Sequence, residues 1–186
     1  MRDIVYFDLE TQRSFNDVGG PQHRDKMGIS VAVTYSTKEG EYRIFGEDDL
    51  DPLIDQLRGA DLVVGFNHLH FDYPVLQKYT VLDLASQTVN LDMLVDLEQR
   101  LGFRIKLDAV ASATLGTGKT ADGMDALKWW REYKKTGEAD WLMKIAEYCA
   151  YDVKVTKMVH EAGMKDGRLR FKDRAGVMQE VEVDWS

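Results

Sequence analysis

A short apolar run near the chain start, followed directly by two acidic residues, constrains the fold of this chain more than any other feature. The run occupies residues 4–7 (Ile-Val-Tyr-Phe), and Asp8 and Glu10 come immediately after it. Four consecutive apolar residues predict a strand that is buried on both faces. Because side chains alternate along a strand, Asp8 and Glu10 project from the same face. Two like charges so placed are costly unless a cation lies between them, so the pair predicts a metal site.

Length and composition indicate a globular protein with one domain over residues 1–186. No stretch is apolar over the length that spans a bilayer, and the chain start shows no signal-peptide pattern. The single cysteine, Cys149, excludes an internal disulfide and suits a reducing cytosol, so we expect a cytoplasmic protein without membrane contact. The net charge of −8 argues against coating nucleic acid by bulk attraction, but it is compatible with an enzyme that holds a nucleic-acid end locally.

The hydrophobic pattern predicts strands first and then strands mixed with helices, which indicates an α/β fold with a mixed sheet. After the first strand, residues 11–26 are polar and contain Gly19-Gly20-Pro21, so they predict a long loop. Further strands are predicted at 27–35, 41–45 and 62–64, with a short apolar segment at the start of 89–101. Helices are predicted at 48–58, from 72–74 to 79, in the rest of 89–101, and at 107–115, 123–134 and 139–162. A β-hairpin is predicted over 168–183, around residues 173–176.

Asp72 stands at the head of an apolar helical stripe, and two interpretations of it remain open. Val75, Leu76 and Tyr79 follow it at helical spacing. An aspartate before a first turn that contains proline is a good N-cap. The same carboxylate could also face a metal ion, because the two roles are compatible.

Tyr148 and Asp152 lie four residues apart in the long predicted helix and therefore share a face. That face is otherwise mostly apolar, so an unpaired aspartate on it would be expensive. A salt bridge or a solvent-facing helix edge is the alternative for a lone aspartate. Four carboxylates on elements predicted to be buried, however, are better explained by one shared metal site than by four unrelated roles. These carboxylates are Asp8, Glu10, Asp72 and Asp152.

Several other patterns have weaker functional interpretations. Residues 113–120 nearly match a phosphate-binding P-loop, but a helix rather than a strand is predicted before them, so we expect Lys119 at most to reach a substrate phosphate. Basic clusters at 100–106, 128–135 and 165–174 are typical of solvated faces. For Trp129-Trp130 core packing is favoured over base stacking, and His160 is expected to occupy a favourable charge position near a helix C-terminus.

Three motifs in this order resemble those of the DEDD 3′–5′ exonucleases. They are Asp8-x-Glu10, Asn67-x-x-x-Phe71-Asp72 and Tyr148-x-x-x-Asp152, and the tyrosine is similar to that of the DEDDy subclass. The segments 8–14 (DLETQRS) and 17–20 (DVGG) resemble, more narrowly, the predicted ribonuclease H-like exonucleases of the YprB type. The resemblance extends from residue 3 to about residue 160.

The resemblance implies a ribonuclease H-like fold, with a central mixed five-stranded sheet flanked by helices and followed here by the hairpin. It also implies a metal-dependent 3′–5′ exonuclease that hydrolyses single-stranded DNA or RNA with two divalent cations. Oxygen ligands without cysteine or histidine agree with Mg²⁺ or Mn²⁺. The alternatives are a catalytically silent nucleic-acid-binding or docking domain, and a nuclease subunit of a helicase or repair assembly.

The resemblance further implies a role for each site residue. Asp8, Glu10 and Asp152 would hold the ion that activates water, Asp8 would bridge to the second ion, and Asp72 would support that ion. Tyr148 would orient the nucleophilic water, which suits a phenol of ordinary pKa near 10 better than deprotonation does. The expected substrate contacts are Thr11, Asn67 and Phe71, with Lys119 added from its glycine-rich loop. For Asn67 and Phe71 the alternatives are an asparagine that caps a turn and a phenylalanine of the core.

Overall fold

The computed structural model describes residues 2–116 and 123–185, and this part of the chain contains both strands and helices. The strands are β1 (Ile4–Thr11), β2 (Ile29–Ser36), β3 (Glu41–Phe45), β4 (Leu62–Gly65), β5 (Asn90–Asp92), β6 (Arg168–Lys172) and β7 (Met178–Glu182). The helices are α1 (Phe15–Val18), α2 (Leu50–Gly59), α3 (Asp72–Leu76), α4 (Leu84–Gln87), α5 (Met93–Leu101), α6 (Leu107–Leu115), α7 (Gly123–Thr136) and α8 (Ala139–Asp166). None of the helices in this part of the chain is both long enough and apolar enough to cross a membrane.

The first five strands form one mixed sheet with β1 at its centre. The strand order is β3-β2-β1-β4-β5. β1 is antiparallel to β2 and parallel to β4, while β5 is parallel to β4. This is the predicted α/β architecture of a five-stranded mixed sheet flanked by helices, and the structure confirms it.

Two apolar layers cover the faces of the sheet, and β1 contributes to both. Val5, Phe7 and Leu9 are buried against α2, α3 and α4 on one face. Tyr6 is buried on the other face, where α5 to α8 pack. Because side chains alternate along β1, Asp8 shares the face of Tyr6 and is directed towards α8.

The C-terminal hairpin is confirmed, and it is docked on the layer that contains α8. β6 and β7 pair in antiparallel register, with Leu169 and Val181 buried in that layer. Trp185 follows the hairpin, lies against Gly163 of α8 and donates from Nε1 to Asp96 at 2.8 Å. A Cβ atom at Gly163 would come within 2.6 Å of the Trp185 ring, so only glycine allows this close approach.

Two local predictions are wrong. Residues 11–26 are not a plain loop, because α1 forms there with a capping box between Ser14 and Asp17, and a 3-10 segment (Pro21–Lys26) follows it. His160 is not a charged residue at a helix end, because α8 continues to Asp166 and the imidazole is fully buried. Burial lowers the pKa of His160 to about 4, and its Nδ1 lies 2.9 Å from the Tyr6 hydroxyl.

Candidate functional site

Three carboxylates from two elements meet on the α8 side of the sheet. Asp8 and Glu10 share one face of β1, and Asp152 projects towards them from α8. One carboxylate oxygen from each of the three lies within 4.8 Å of the others. This separation allows a single cation to contact all three side chains. The structure therefore brings together the metal ligands that were predicted from the sequence on β1 and α8.

Asp72 approaches β1 from the start of α3. It is the first residue of that helix, and Phe71 is the N-cap without a side-chain capping bond, so the N-cap interpretation of Asp72 does not hold. Its Oδ1 instead accepts from the amide of Leu9 at 3.1 Å. Leu9 lies beyond the last β1–β4 pair, which joins Tyr6 to Val64. The Asp72 carboxylate thus occupies the edge of β1 that β4 leaves uncovered.

The carboxylates raise the cost of ionising one another. Burial raises the pKa values of Asp8 and Glu10 well above their ordinary range, and the charges of the neighbouring Asp72 and Asp152 raise them further. Burial is also the main cause that raises the pKa of Asp72 to about 8. No lysine or arginine lines this cleft in the part of the chain that the structure describes. A set of hard oxygen donors of this kind is chemically suited to a divalent cation such as Mg²⁺ or Mn²⁺.

Tyr148 lies one helical turn before Asp152 and is hydrogen-bonded to its side chain. Burial raises the pKa of Tyr148, and the charges of Asp152 and Glu10 raise it further, so the phenol keeps its proton. The ring of Trp129 meets Tyr148 edge-to-face, with 6.4 Å between their centroids. Trp129 is partly buried against the core, which confirms the prediction of core packing.

Cys149 is a contact of the carboxylate cluster that the sequence analysis did not identify. Its thiol is buried, and Sγ lies 3.5 Å from Oδ2 of Asp8 and 3.4 Å from the Asp8 carbonyl oxygen. Burial raises the pKa of Cys149, so it remains a neutral donor that fixes the Asp8 side chain. Cys149 lies on the same helix face as Tyr148 and Asp152, and this position could have indicated its contact with the cluster.

A cleft of about 320 Å³ opens over the carboxylates. It is lined by Asp8, Glu10, Asp72 and Asp152, and also by Thr11, Asn67 and Phe71, the substrate contacts expected from the sequence. The Phe71 ring packs edge-to-face on Phe15 of α1, with 5.8 Å between their centroids. The segment expected to be a loop therefore contributes an aromatic wall to the cleft.

Lys119 and the rest of residues 117–122 lie outside the described part of the chain. The preceding residues 113–116 end α6, and Gly116 caps that helix with φ of 71°. A P-loop would follow a strand, and the element here is a helix, as the sequence predicted.

Asp92 positions the segment that brings Asn67 to the cleft, and the sequence analysis did not identify it. Its carboxylate accepts from the amides of Asn67 at 2.8 Å and Leu69 at 3.0 Å. It also accepts from the amides of Leu94 and Val95 as the N-cap of α5. Asn67 itself has φ of 74°, an unusual conformation that these bonds help to hold. An aspartate directly before an apolar helical pattern is typical of an N-cap, so the capping role of Asp92 could be predicted from the sequence.

His68, in the same segment, is part of the internal support. It is fully buried, with Nε2 3.1 Å from Oδ1 of Asn90, and burial lowers its pKa. A Cβ atom at Gly65 would come within 2.7 Å of His68 Nδ1, so glycine is needed where β4 ends. His68 and His70 both lie in the connection between β4 and α3.

Comparison with known proteins gives a consistent fold and a family. No protein among the curated ones matches the sequence. The family B DNA polymerase from the archaeon Pyrobaculum calidifontis superposes with a TM-score of 0.63 at 20% identity, over 88% of this chain and 25% of the polymerase. A zinc-bound E. coli ExoI–ssDNA complex superposes with a TM-score of 0.49 at 12% identity, over 89% of this chain and 41% of ExoI. The chain thus spans a quarter of the polymerase and well under half of ExoI.

The model of the RNase_H superfamily matches residues 5–162, which include all four carboxylates of the cleft. The chain therefore belongs to the RNase_H superfamily.

Proposed function

We propose that this protein is a metal-dependent 3′–5′ exonuclease of the DEDDy subclass and YprB type, which hydrolyses single-stranded DNA or RNA. One observation carries the proposal: Asp8, Glu10 and Asp152 place carboxylate oxygens within 4.8 Å of one another. The cleft around them also contains Asp72, and no basic residue lines it in the described chain. Membership of a superfamily with nuclease folds agrees with this chemistry.

In the proposal, Asp8, Glu10 and Asp152 hold one Mg²⁺ or Mn²⁺ ion, and Asp8 and Asp72 hold the second. When bound, such ions supply a water nucleophile at neutral pH and neutralise charge on the leaving oxygen. Asp72 keeps one oxygen on the Leu9 amide, and Cys149 donates to Asp8. Both contacts fix the orientation of carboxylates that repel one another.

Tyr148 orients the attacking water in this proposal. The raised pKa of its phenol leaves it a hydrogen-bond donor and acceptor rather than a base. Its bond to Asp152 and its contact with Trp129 hold the ring beside the cluster.

Thr11, Asn67 and Phe71 are the proposed contacts of the terminal nucleotides, and all three line the cleft. Lys119 is proposed as a further phosphate contact on the basis of the sequence alone. A cytoplasmic location is part of the proposal, since the chain has one cysteine and its thiol is buried. The same site would serve a free enzyme or the nuclease subunit of a helicase or repair assembly.

End-labelled single strands of DNA and RNA, incubated with Mn²⁺ or with EDTA, test the function. We expect stepwise release of nucleotides from the 3′ end with Mn²⁺, none with EDTA, and none from Asp8→Ala. The matched control is Asp83→Ala, which removes an exposed carboxylate away from the cleft. Tight binding of the strands without cleavage in Mn²⁺ would instead identify a silent docking domain.

A further inference from the structure

A second concave surface lies between the segment 103–106 and the turn of the C-terminal hairpin. We call it the hairpin groove; its volume is about 760 Å³, and it is lined by Phe103, Arg104, Ile105, Lys106, Lys172, Asp173, Arg174 and Ala175. The superfamily match ends at residue 162, so one wall of the groove comes from a hairpin outside that match. The groove is therefore an addition to the superfamily domain in this chain.

The groove is strongly basic on a protein whose net charge is −8. Four exposed cations line it, and Lys106, Lys172 and Arg174 have no ion pair within residues 2–116 and 123–185. The one acidic lining residue, Asp173, already accepts from the backbone amides of Ala175 and Val177 and from Gln179. The Asp173 carboxylate thus stabilises the turn of the hairpin, and the positively charged side chains of the groove face solvent.

An exposed aromatic ring accompanies these cations. Phe103 is 47% exposed and meets Phe171 of β6 edge-to-face, with 6.0 Å between their centroids. This contact fixes one edge of the Phe103 ring and leaves part of its surface open to solvent. Cations beside an accessible aromatic ring match the chemistry of single-stranded nucleic acid, whose phosphates need cations and whose bases stack on rings.

Arg104 connects the hairpin groove to the carboxylate cleft. It lines the groove, and its Nη2 donates to Oδ1 of Asn67 at 3.0 Å. Asn67 in turn lines the cleft. The two concave surfaces are therefore adjacent, with the Asn67–Arg104 pair as their shared boundary.

We propose that the hairpin groove binds the sugar-phosphate backbone of a single strand whose 3′ end lies in the carboxylate cleft. The proposal rests on the proposed function and adds to it a track for the nucleotides upstream of the scissile bond. Lys172 and Arg174 contact phosphates from the hairpin wall, Lys106 contacts them from the opposite wall, and Phe103 stacks on a base. Strands too short to leave the cleft do not reach these residues.

The test compares binding of short and long oligonucleotides to the double variant Lys172→Glu with Arg174→Glu. Fluorescence anisotropy is measured with labelled oligothymidylates of about 4 and about 16 nucleotides, and with the matching oligouridylates. The Asp8→Asn background keeps the strands intact. The matched control, Lys38→Glu with Arg43→Glu, makes the same charge change near β3, at the opposite edge of the sheet.

We expect the double variant to bind the long oligonucleotide about tenfold more weakly and the short one nearly as before. The slope of log affinity against log salt should fall by roughly 1.4, because two contacts to single-strand phosphates are lost. Lys106→Glu, on the opposite wall, should give the same length-dependent loss of affinity. The control should lower the affinity for both oligonucleotides by the same factor, and by less than the double variant lowers it for the long one. Unchanged binding of the long strand, or an equal loss at both lengths, would overturn the track.

Two further outcomes separate this inference from the proposed function. A wild-type protein that cleaves 3′ ends, with the double variant unaffected at every length, keeps the function and refutes the track. A wild-type protein that cleaves nothing, but shows the length-dependent binding through these residues, keeps the track and refutes the function. Displacement of the oligonucleotide by a polyglutamate peptide at equal charge would assign the groove to an acidic protein and overturn the inference.

Discussion

Ionisation of the two carboxyl groups on β1 carries a high cost in free energy. Asp8 and Glu10 are affected by both Asp72 and Asp152 as well as by burial. Both groups therefore bind protons more tightly than an exposed carboxyl group does, and in the proposed function a divalent cation would displace those protons. Tyr148 faces the same charges, which keep its phenol neutral. The two kinds of side chain thus have different roles in the proposed function: the carboxylates would bind the cations, and the tyrosine would form a hydrogen bond.

Tyr148→Phe removes the hydroxyl and keeps the ring that packs on Trp129. We expect cleavage to slow on the order of 100-fold, because the attacking water loses its orienting partner. Affinity for Mn²⁺, measured by calorimetry, should stay nearly the same, since the carboxylates are intact. Tyr151→Phe, the same substitution on the same helix, is the control and should leave turnover close to wild type. Unchanged turnover in Tyr148→Phe would refute the water-orienting role.

Asp72→Asn tests the cost of burying the Asp72 carboxylate. The folded protein holds the Asp72 proton more tightly than the unfolded chain does, because the pKa is raised from 3.8 to about 8. The free energy of unfolding should therefore fall as pH rises through this window. Asparagine cannot ionise and keeps an acceptor for the Leu9 amide, so at pH near 8 the metal-free variant should be more stable by on the order of 2 kcal/mol.

Urea unfolding in EDTA at several pH values measures this difference. Below about pH 3 the variant and the wild type should converge, because the carboxyl group is then largely protonated in both the folded and the unfolded state. Asp83→Asn, at an exposed carboxylate, should follow the wild type throughout. A variant no more stable than the wild type at pH 8 would contradict the raised pKa of Asp72.

The connection from β4 to α3 is held by the N-terminus of another element, α5. Asp92 ends β5, caps α5 and accepts from the amides of Asn67 and Leu69 in this connection. One buried carboxylate thus sets the position of both the α5 terminus and the wall of the cleft. The element that supports the site is therefore a helix that contributes no ligand to it.

Asp92→Ala should destabilise the protein by about 2–4 kcal/mol, because it removes a helix cap and leaves buried amides without acceptors. Affinity for short oligonucleotides should fall as well, since Asn67 loses its anchor. Asp49→Ala is the matched control: Asp49 is the N-cap residue of α2 but makes no side-chain capping bond. Denaturant unfolding compares the two variants, and equal losses would contradict the role given to Asp92.

The elements that build the carboxylate cluster were predictable because their signals are local. The apolar run before Asp8 gives a strand, and a spacing of four places Tyr148 and Asp152 on one helix face. The contact of Asp72 with Leu9 was not predictable, because it depends on the path of the loop after β4. The α1 helix was missed although Ser14 and Asp17 form a readable capping box, since the neighbouring glycines suggested a loop.

At the scale of the molecule, α8 joins the sheet to the hairpin. It packs on β1 and β2 and also on β6, and it bears Asp152 near its middle. The hairpin was predicted from its turn, but its docking on α8 depends on Gly163 and Trp185, which no local pattern pairs. The hairpin groove could not be predicted for the same reason, since its walls are far apart in the sequence.

Because α8 links these parts, we expect residues 1–186 to unfold as one domain in a single cooperative transition. Mn²⁺ at about 100 times its dissociation constant should raise the melting temperature by roughly 5–10 °C. Asp8→Asn should lose most of this shift, whereas Asp83→Asn should keep it. Scanning calorimetry measures both quantities, and two separate transitions would contradict the single domain.

The alternation along β1 ties the carboxylate cluster to the assembly of the core. Val5, Phe7 and Leu9 fill one apolar layer, and Asp8 and Glu10 face the other side. An insertion or deletion of one residue within this strand would exchange the two sets, turning phenylalanine and leucine into the cleft and sealing both carboxylates in hydrocarbon. A change of length within β1 would therefore disrupt the carboxylate cluster and the core together, whereas a change where β1 ends leaves this alternation intact.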